Sequence, residues 1–174
     1  MSNTKKLVYA SLFLAAGILI PQIFHLTSGP TSGGTFLPMH IPVLTGGFLL
    51  GGLYGSLIGL LAPVLSFIIT GMPPAERLPF MVVELVAYGF FCGFLSSKTK
   101  HIYPVLVSSM TIGRLLYAGS LFIAFYLFKM QTAAPIAAWF AFLNGLVGII
   151  IQLIFIPPVV FSLRKITSKG RVYY

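Results

Sequence analysis

The fold of this chain follows from residues 37–89, which read LPMHIPVLTGGFLLGGLYGSLIGLLAPVLSFIITGMPPAERLPFMVVELVAYG. The stretch contains two Gly-rich apolar segments, a break at residues 71–74 (GMPP), and a third apolar segment that carries Glu84. A bare charge costs several kcal/mol in hydrocarbon, so an ionisable residue inside a hydrophobic span indicates a functional site by default. We therefore interpret the rest of the chain as the structure that accommodates Glu84.

The composition is that of a membrane protein. Apolar residues make up 57% of the 174 residues and charged residues only 7%, against roughly 25% charged in a soluble domain. So few charges cannot cover a surface in contact with water. The long apolar runs predict an all-α integral membrane protein, a compact bundle of six transmembrane helices that forms a single membrane domain over residues 1–174.

The six predicted spans are separated by short breaks. They cover about residues 7–25, 39–53, 55–70, 80–96, 104–128 and 136–163. A polar, uncharged loop over residues 26–38 is long for a compact bundle and is typical of lids and binding loops. A glycine-rich turn over residues 51–55 joins the second span to the third, and the sixth span contains Asn144 and Gln152.

Basic residues lie at the ends of the apolar segments rather than in one patch, so the net charge of +9 indicates membrane topology, not nucleic-acid binding. With six spans, eight of them share one side: Lys5, Lys6, Lys98, Lys100, Arg164, Lys165, Lys169 and Arg171. Only Arg77 and Lys129 face the other side. Because cytoplasmic loops carry the excess of Lys and Arg, we predict a multi-pass protein of the bacterial cell membrane with both termini in the cytoplasm.

No catalytic constellation or phosphate-binding loop is present in the sequence. The three histidines are scattered, and the single cysteine, Cys92, lies in an apolar run, so the spacing of neither residue type favours a metal site. We therefore predict no enzymatic activity, no cofactor and no metal. If ATP drives this protein, another chain must hydrolyse it.

Five residues are predicted to form a binding site in the outer half of the bundle. At 1.5 Å per residue, Glu84 lies roughly 7 Å and Asn144 roughly 12 Å below the outer ends of their spans. Arg114 lies near the middle of a hydrocarbon core about 30 Å thick. His40 is at the outer end of the second span, and Tyr88 follows Glu84 at i+4 on the same helix face. An alternative, compatible with the first, is that Glu84 and Arg114 form a buried ion pair that holds two helices in register.

The chain resembles a known family of membrane proteins in several motifs. They are the small residues Ala10, Ser11 and Ala15, the motif LPMHIPV (37–43), the run from Gly46 to Gly59, PVLS (63–66), TGMPP (70–74), Glu84-Leu85 and Tyr88-Gly89. On these motifs the protein resembles the substrate-binding S components of energy-coupling factor (ECF) vitamin transporters. The resemblance covers nearly the whole chain and is most specific over residues 37–89.

The resemblance implies a six-helix S component that binds one water-soluble vitamin or precursor from outside. It also implies partners, namely one transmembrane coupling protein and two ATPase subunits. In the family the first helix docks on the coupling protein through an Ala-x-x-x-Ala face. The nearest match here is Ser11-x-x-x-Ala15, in which serine replaces the first alanine.

The substrate is not determined by the resemblance alone. The motifs LPMHIP, TGMPP and EL with YG are most similar to those of members assigned to hydroxymethylpyrimidine or pyridoxine. Pantothenate is the second candidate, because the guanidinium of Arg114 can hold its carboxylate. A protein of a different class, a non-transport membrane scaffold or small channel, would need no outer pocket.

Overall fold

The computed structural model describes residues 2–28, 32–99, 101–130 and 134–169. Over these residues the elements are helices, namely α1 (Asn3–Ser28), α2 (Ser32–Phe36), α3 (His40–Leu50), α4 (Gly52–Thr70), α5 (Leu78–Lys98), α6 (Ile102–Tyr126), α7 (Ile136–Asn144) and α8 (Leu146–Lys169). Six segments of the described chain are long and apolar enough to cross a membrane, and the short α2 forms one of them together with α3. The predicted fold class, an all-α bundle of six transmembrane helices, is confirmed.

The turn between α3 and α4 is shorter than the sequence predicted. Only Gly51 leaves the helical conformation, with φ at 95°, whereas Gly55 lies inside α4. The sequence predicted that Gly51, Gly52 and Gly55 all belong to the turn, but Gly52 and Gly55 instead allow α4 to pack closely on α5. A Cβ atom on Gly55 would lie 2.5 Å from the carbonyl oxygen of Gly89 in α5, so the two backbones touch here. Small residues permit such close approach between helices in lipid.

Helix α5 is held against α4 by several glycines. Gly55 and Gly59 in α4 follow each other at i+4, as do Gly89 and Gly93 in α5, and a Cβ on any of them would meet backbone atoms of the other helix. This contact occupies one face of α5. The side chain of Glu84, which is 3% exposed, faces the interior that α5 shares with α3 and α6.

The sixth predicted span is two helices in the structure. The sequence predicted a single helix over residues 136–163, but α7 ends at Asn144 and α8 begins at Leu146. Gly145 lies between them, and a Cβ there would be 2.8 Å from Nη2 of Arg114 and 3.1 Å from Leu37. The break therefore coincides with a close contact between the chain and the side chains of Arg114 and Leu37. The second helix, α8, then runs past its predicted end to Lys169.

Contacts between helices show which ends of the bundle coincide. Along α1, Phe13 lies against Gly46 and Gly17 against Pro42, so α1 and α3 run in opposite directions. Gln22 of α1 donates a hydrogen bond to Thr70 at the end of α4 (3.2 Å). Near the end of α8, the guanidinium of Arg164 lies 5.8 Å from the centre of the Phe48 ring. The start of α1 and the end of α8 therefore lie at the end of the bundle where α3 turns into α4.

The outside of the bundle is apolar, as a lipid-facing surface must be. Large exposed side chains include Leu57 on α4, Phe90 on α5 and Phe122 on α6. Phe90 also lines a groove of about 410 Å³ between α5 and α6, together with Val83, Leu116 and further apolar residues of α5. The lining is apolar and the groove opens sideways, so we assign it to lipid chains rather than to a polar ligand.

Candidate functional site

The carboxylate of Glu84 is the centre of a buried polar cluster. The hydroxyl of Tyr88 donates a hydrogen bond to its Oε1 atom at 2.9 Å, and Nη1 of Arg114 forms an ion pair with the same atom at 3.1 Å. Nε2 of His40 lies 3.8 Å from it, which is too long for a hydrogen bond. Three helices thus contribute to the cluster: α3 through His40, α5 through Glu84 and Tyr88, and α6 through Arg114.

His40 enters the cluster because α3 begins there. The backbone N–H of His40 donates a hydrogen bond to the carbonyl of Leu37, and Leu37 has a positive φ of 51° at the break between α2 and α3. Pro42 falls in the first turn of α3, where its missing N–H costs little. The imidazole is 2% exposed, and its ring lies edge-on to that of Tyr88 with the centroids 5.3 Å apart.

Arg114 reaches the cluster from the middle of the membrane. It is the central residue of α6, twelve residues from each end of a 25-residue helix, or roughly 18 Å along the axis. Glu84 is six residues inside α5, roughly 9 Å from its start. The two distances refer to different helix ends, and Gly113, directly before Arg114, packs against α5 at the level of Glu84 and Tyr88. This geometry is compatible with both interpretations of the sequence. Glu84 and Arg114 can form a structural ion pair, and the same pair can line a binding site.

Two glycines provide the space that the cluster needs. A Cβ on Gly113 of α6 would overlap the ring of Tyr88, and one on Gly145 would lie 2.8 Å from Nη2 of Arg114. Gly113 directly precedes Arg114, so α6 brings its backbone against α5 at the level of the cluster. Neither glycine was predicted as a site residue, because a glycine carries no chemistry and its role is visible only from what it faces.

Several polar atoms of this region lack a hydrogen-bond partner among the described residues. They are Nδ1 and Nε2 of His40, Oγ1 of Thr45, Nε and Nη2 of Arg114, and both polar atoms of the Gln152 side chain. Each unpaired buried polar group costs about 1–3 kcal/mol. Four of the seven atoms belong to His40 and Arg114 in the cluster itself, and the other three belong to Thr45 on α3 and Gln152 on α8. This concentration is what a binding site has when a polar ligand supplies the missing partners.

Asn144 is the one predicted site residue that the structure leaves apart. Its side chain is exposed at the end of α7, whereas the next residue, Gly145, is buried against Arg114. Neighbouring residues of a helix point about 100° apart, so one of them faces inward and the other outward. The prediction that Asn144 lines the site remains untested. Gln152 has the inward position instead, and the sequence signal that could have found it is its four-residue spacing from Gly148.

The predicted docking residues lie on the outer side of α1. Ser11 and Ala15 are both exposed, together with the larger apolar residues Leu12 and Leu19. The hydroxyl of Ser11 donates a hydrogen bond to the carbonyl of Leu7 within the helix, at 3.0 Å. This face therefore has two small residues between larger exposed leucines, and the hydroxyl of Ser11 needs no partner from another chain.

Within the described residues, no three His, Cys, Asp or Glu side chains come together to form a candidate metal site. Cys92 is buried as a free thiol, and its Sγ lies 3.3 Å from the carbonyl oxygen of Leu44. Across all 174 residues there are only two carboxylate side chains, Glu76 and Glu84. Glu76 is exposed in the connection between α4 and α5, so Glu84 is the sole buried acid.

The fold is a bundle of six candidate transmembrane segments with a buried polar cluster in its interior. Comparison with known proteins gives the family. The family model described as the substrate-specific component of ECF transporters matches residues 5–160. The chain therefore belongs to this family and is a multi-pass membrane protein that serves as the substrate-binding subunit of an ECF transporter. No curated protein and no solved structure matches the chain.

Proposed function

We propose that this subunit binds a water-soluble vitamin or vitamin precursor at the cluster of His40, Glu84, Tyr88 and Arg114. The observation that carries the proposal is the buried carboxylate with polar neighbours that still lack hydrogen-bond partners. A structural ion pair alone would be expected to satisfy its donors, whereas a binding site keeps donors and acceptors available for its ligand. Asn144 is not part of the proposed site, because its side chain is exposed.

The charge of the cluster favours a neutral ligand. Arg114 is already paired with Glu84 at 3.1 Å, so the two formal charges cancel. A hydroxylated heteroaromatic ring can donate from its hydroxyl groups to Glu84 and accept from the remaining N–H groups of Arg114 without breaking this pair. This supports hydroxymethylpyrimidine or pyridoxine as the substrate class.

Pantothenate remains a second candidate because of one specific observation. The Nε and Nη2 atoms of Arg114 are buried without a partner among the described residues, and a carboxylate can accept two parallel hydrogen bonds from such a guanidinium. Its binding would place a second anion beside Glu84, and the repulsion between the two carboxylates opposes it. We therefore place pantothenate after the neutral ring compounds.

For the partners, we propose that α1 docks through Ser11 and Ala15 on a transmembrane coupling protein, which in turn is driven by two ATPase subunits. The exposure of both residues on a peripheral helix supports this role. We further propose that the start of α1 and the end of α8 face the cytoplasm, as the excess of basic residues at that end favours. The ligand site then opens toward the outside of the cell.

The proposal is tested by equilibrium binding of B vitamins and their precursors to the purified, detergent-solubilised protein. We expect saturable, one-to-one binding of hydroxymethylpyrimidine or pyridoxine. Arg114→Gln separates the candidates: a complete loss of binding favours pantothenate, and a modest loss favours a neutral ring. If the folded protein binds no member of the panel, the proposed function is wrong and the alternative of a non-transport scaffold or channel regains support.

A further inference from the structure

Gln152 is a buried polar residue that the proposed site does not yet use. It lies in α8 with 0% of its surface exposed, and neither Oε1 nor Nε2 has a hydrogen-bond partner among the described residues. A carboxamide buried in this way costs free energy, since neither lipid nor an apolar core can replace its lost hydrogen bonds to water. A polar ligand that pairs with it would recover that cost.

The contacts of α8 place Gln152 at the level of the proposed site. Gly148 packs against Leu37, where an added Cβ would be 2.9 Å from the leucine Cβ. Gln152 lies one turn further along α8, and His40 lies one turn further along the chain from Leu37. Because α3 and α8 run in the same direction, as the contact of Arg164 with Phe48 near their other ends shows, Gln152 and His40 reach similar depths.

The same contacts show that Gln152 faces the interior. Gly145, Gly148, Gln152 and Ile156 follow one another at spacings of three and four residues, so they share one face of the helix, and all four are buried. Gly145, the first of them, packs on Nη2 of Arg114. The carboxamide is therefore directed into the bundle on the side where Arg114 and His40 have unpaired nitrogens.

We propose that Gln152 contacts the ligand and selects a heteroaromatic ring that has an acceptor nitrogen beside an amino group. This inference rests on the proposed function and narrows its substrate class. A carboxamide presents one donor and one acceptor side by side, and its complement is an aminopyrimidine edge, as in the pairing of Gln or Asn with adenine. Glu84 accepts from the hydroxyl group of the same ligand. Pyridoxine has hydroxyl groups but no amino group beside its ring nitrogen, so the aminopyrimidine is preferred.

The test compares three ligands on the purified full-length protein: 4-amino-5-hydroxymethyl-2-methylpyrimidine, its analogue without the amino group, and pyridoxine. We expect the parent protein to bind the amino compound at least about tenfold more tightly than the other two, equivalent to about 1.4 kcal/mol. In Gln152→Met this preference should disappear, because the unbranched side chain keeps the volume and removes both polar atoms. Gln152→Leu should behave in the same way and provides a second variant.

The matched control is Gln22→Met, which changes a glutamine of α1 that bonds to Thr70 instead of facing the site. It should keep the tenfold preference. The thermal unfolding temperature of ligand-free Gln152→Met should stay equal or rise, because two unpaired polar atoms are removed. A fall in that temperature would instead assign Gln152 a structural role and overturn the inference.

Two binding outcomes would also overturn it. One is a parent protein that binds pyridoxine as tightly as the aminopyrimidine, in which case vitamin binding stands and the assignment to Gln152 fails. The other is a preference for the amino group that survives in both Gln152 variants. A parent protein that binds none of the three ligands and no other vitamin would overturn the proposed function itself, together with this inference.

Discussion

At the residue scale, Glu84 concentrates three interactions on one oxygen atom in a setting where an isolated charge is costly. Arg114 neutralises it, Tyr88 donates to it, and His40 stands 3.8 Å away with both ring nitrogens unpaired. The ion pair explains why the cluster is tolerated in the membrane. The unpaired nitrogens are not explained by it, and they are the reason for proposing a ligand.

The first prediction concerns the stability of the ion pair. Glu84→Gln should lower the free energy of unfolding by roughly 3 kcal/mol, because it leaves the charge of Arg114 buried without its partner. Adding Arg114→Gln should restore much of the loss, since the double variant has no buried charge. Denaturant unfolding in detergent measures both changes. Equal stability of the single and double variants would mean that the unpaired charge of Arg114 costs nothing, which contradicts the prediction.

The second prediction concerns the space beside Tyr88. Gly113→Ala should weaken ligand binding and lower the unfolding temperature, because the added methyl group would overlap the tyrosine ring and displace its hydroxyl from Glu84. Gly119→Ala is the control on the same helix, where an added methyl group meets nothing within 4 Å. It should be neutral or stabilise the helix by up to about 1 kcal/mol. If the two variants behave alike, the packing of Tyr88 on Gly113 does not matter.

At the scale of single elements, the helices differ in what their sequences reveal. The number of membrane spans and their approximate positions were predictable, because a span needs about 20 apolar residues. The direction in which each helix faces was not. A helix surrounded by lipid on one side and protein on the other is apolar all round, so the usual contrast between a polar and an apolar face is missing.

The missing contrast between a polar and an apolar face explains why the sequence did not show which residues of α7 and α8 face the interior. The depth of Asn144 could be estimated from the sequence, but its exposure could not, and Gln152 was left out of the predicted site although it is buried. The break at Gly145 was missed for a related reason, since residues 136–163 read as one apolar run. By contrast, the structure brings His40, Glu84, Tyr88 and Arg114 together, as expected because charge in the membrane requires partners, and their role in ligand binding stays a prediction.

The third prediction belongs to α1. Ala15→Trp should prevent assembly with the coupling protein and leave vitamin binding unchanged, because the residue is exposed and a large side chain would keep another helix from approaching closely. Ser11→Trp should act in the same way. Co-purification of the complex and binding by the isolated subunit are measured in parallel. Equal loss of both activities would place this face inside the bundle and refute the docking role.

At the scale of the whole molecule, the polar cluster and most of the basic residues lie toward different ends of the bundle. The cluster lies toward the end where α5 begins, and Lys98 ends the same helix on the other side. A substrate-binding subunit needs this polarity if it takes its ligand from one side of the membrane and meets its energy source on the other.

The fourth prediction is the orientation in the membrane. With Cys92 replaced by alanine, a cysteine at Glu76 should react with an impermeant maleimide on intact cells, and one at Ser97 only after permeabilisation. Both positions are exposed and lie at opposite ends of α5. If both cysteines react on intact cells, α5 does not cross the membrane. If the cysteine at Ser97 reacts on intact cells and the one at Glu76 only after permeabilisation, the orientation is opposite to the one proposed.

The central claim is that the cluster around Glu84 binds the vitamin, and the affinity of the neutral double variant tests it most directly. Glu84→Gln combined with Arg114→Gln removes the buried charges together, so loss of binding cannot be attributed to a stranded ion. We predict that its dissociation constant for the vitamin bound by the parent protein rises at least about tenfold, or about 1.4 kcal/mol, while the protein stays folded. An unchanged dissociation constant in the folded double variant would contradict the claim.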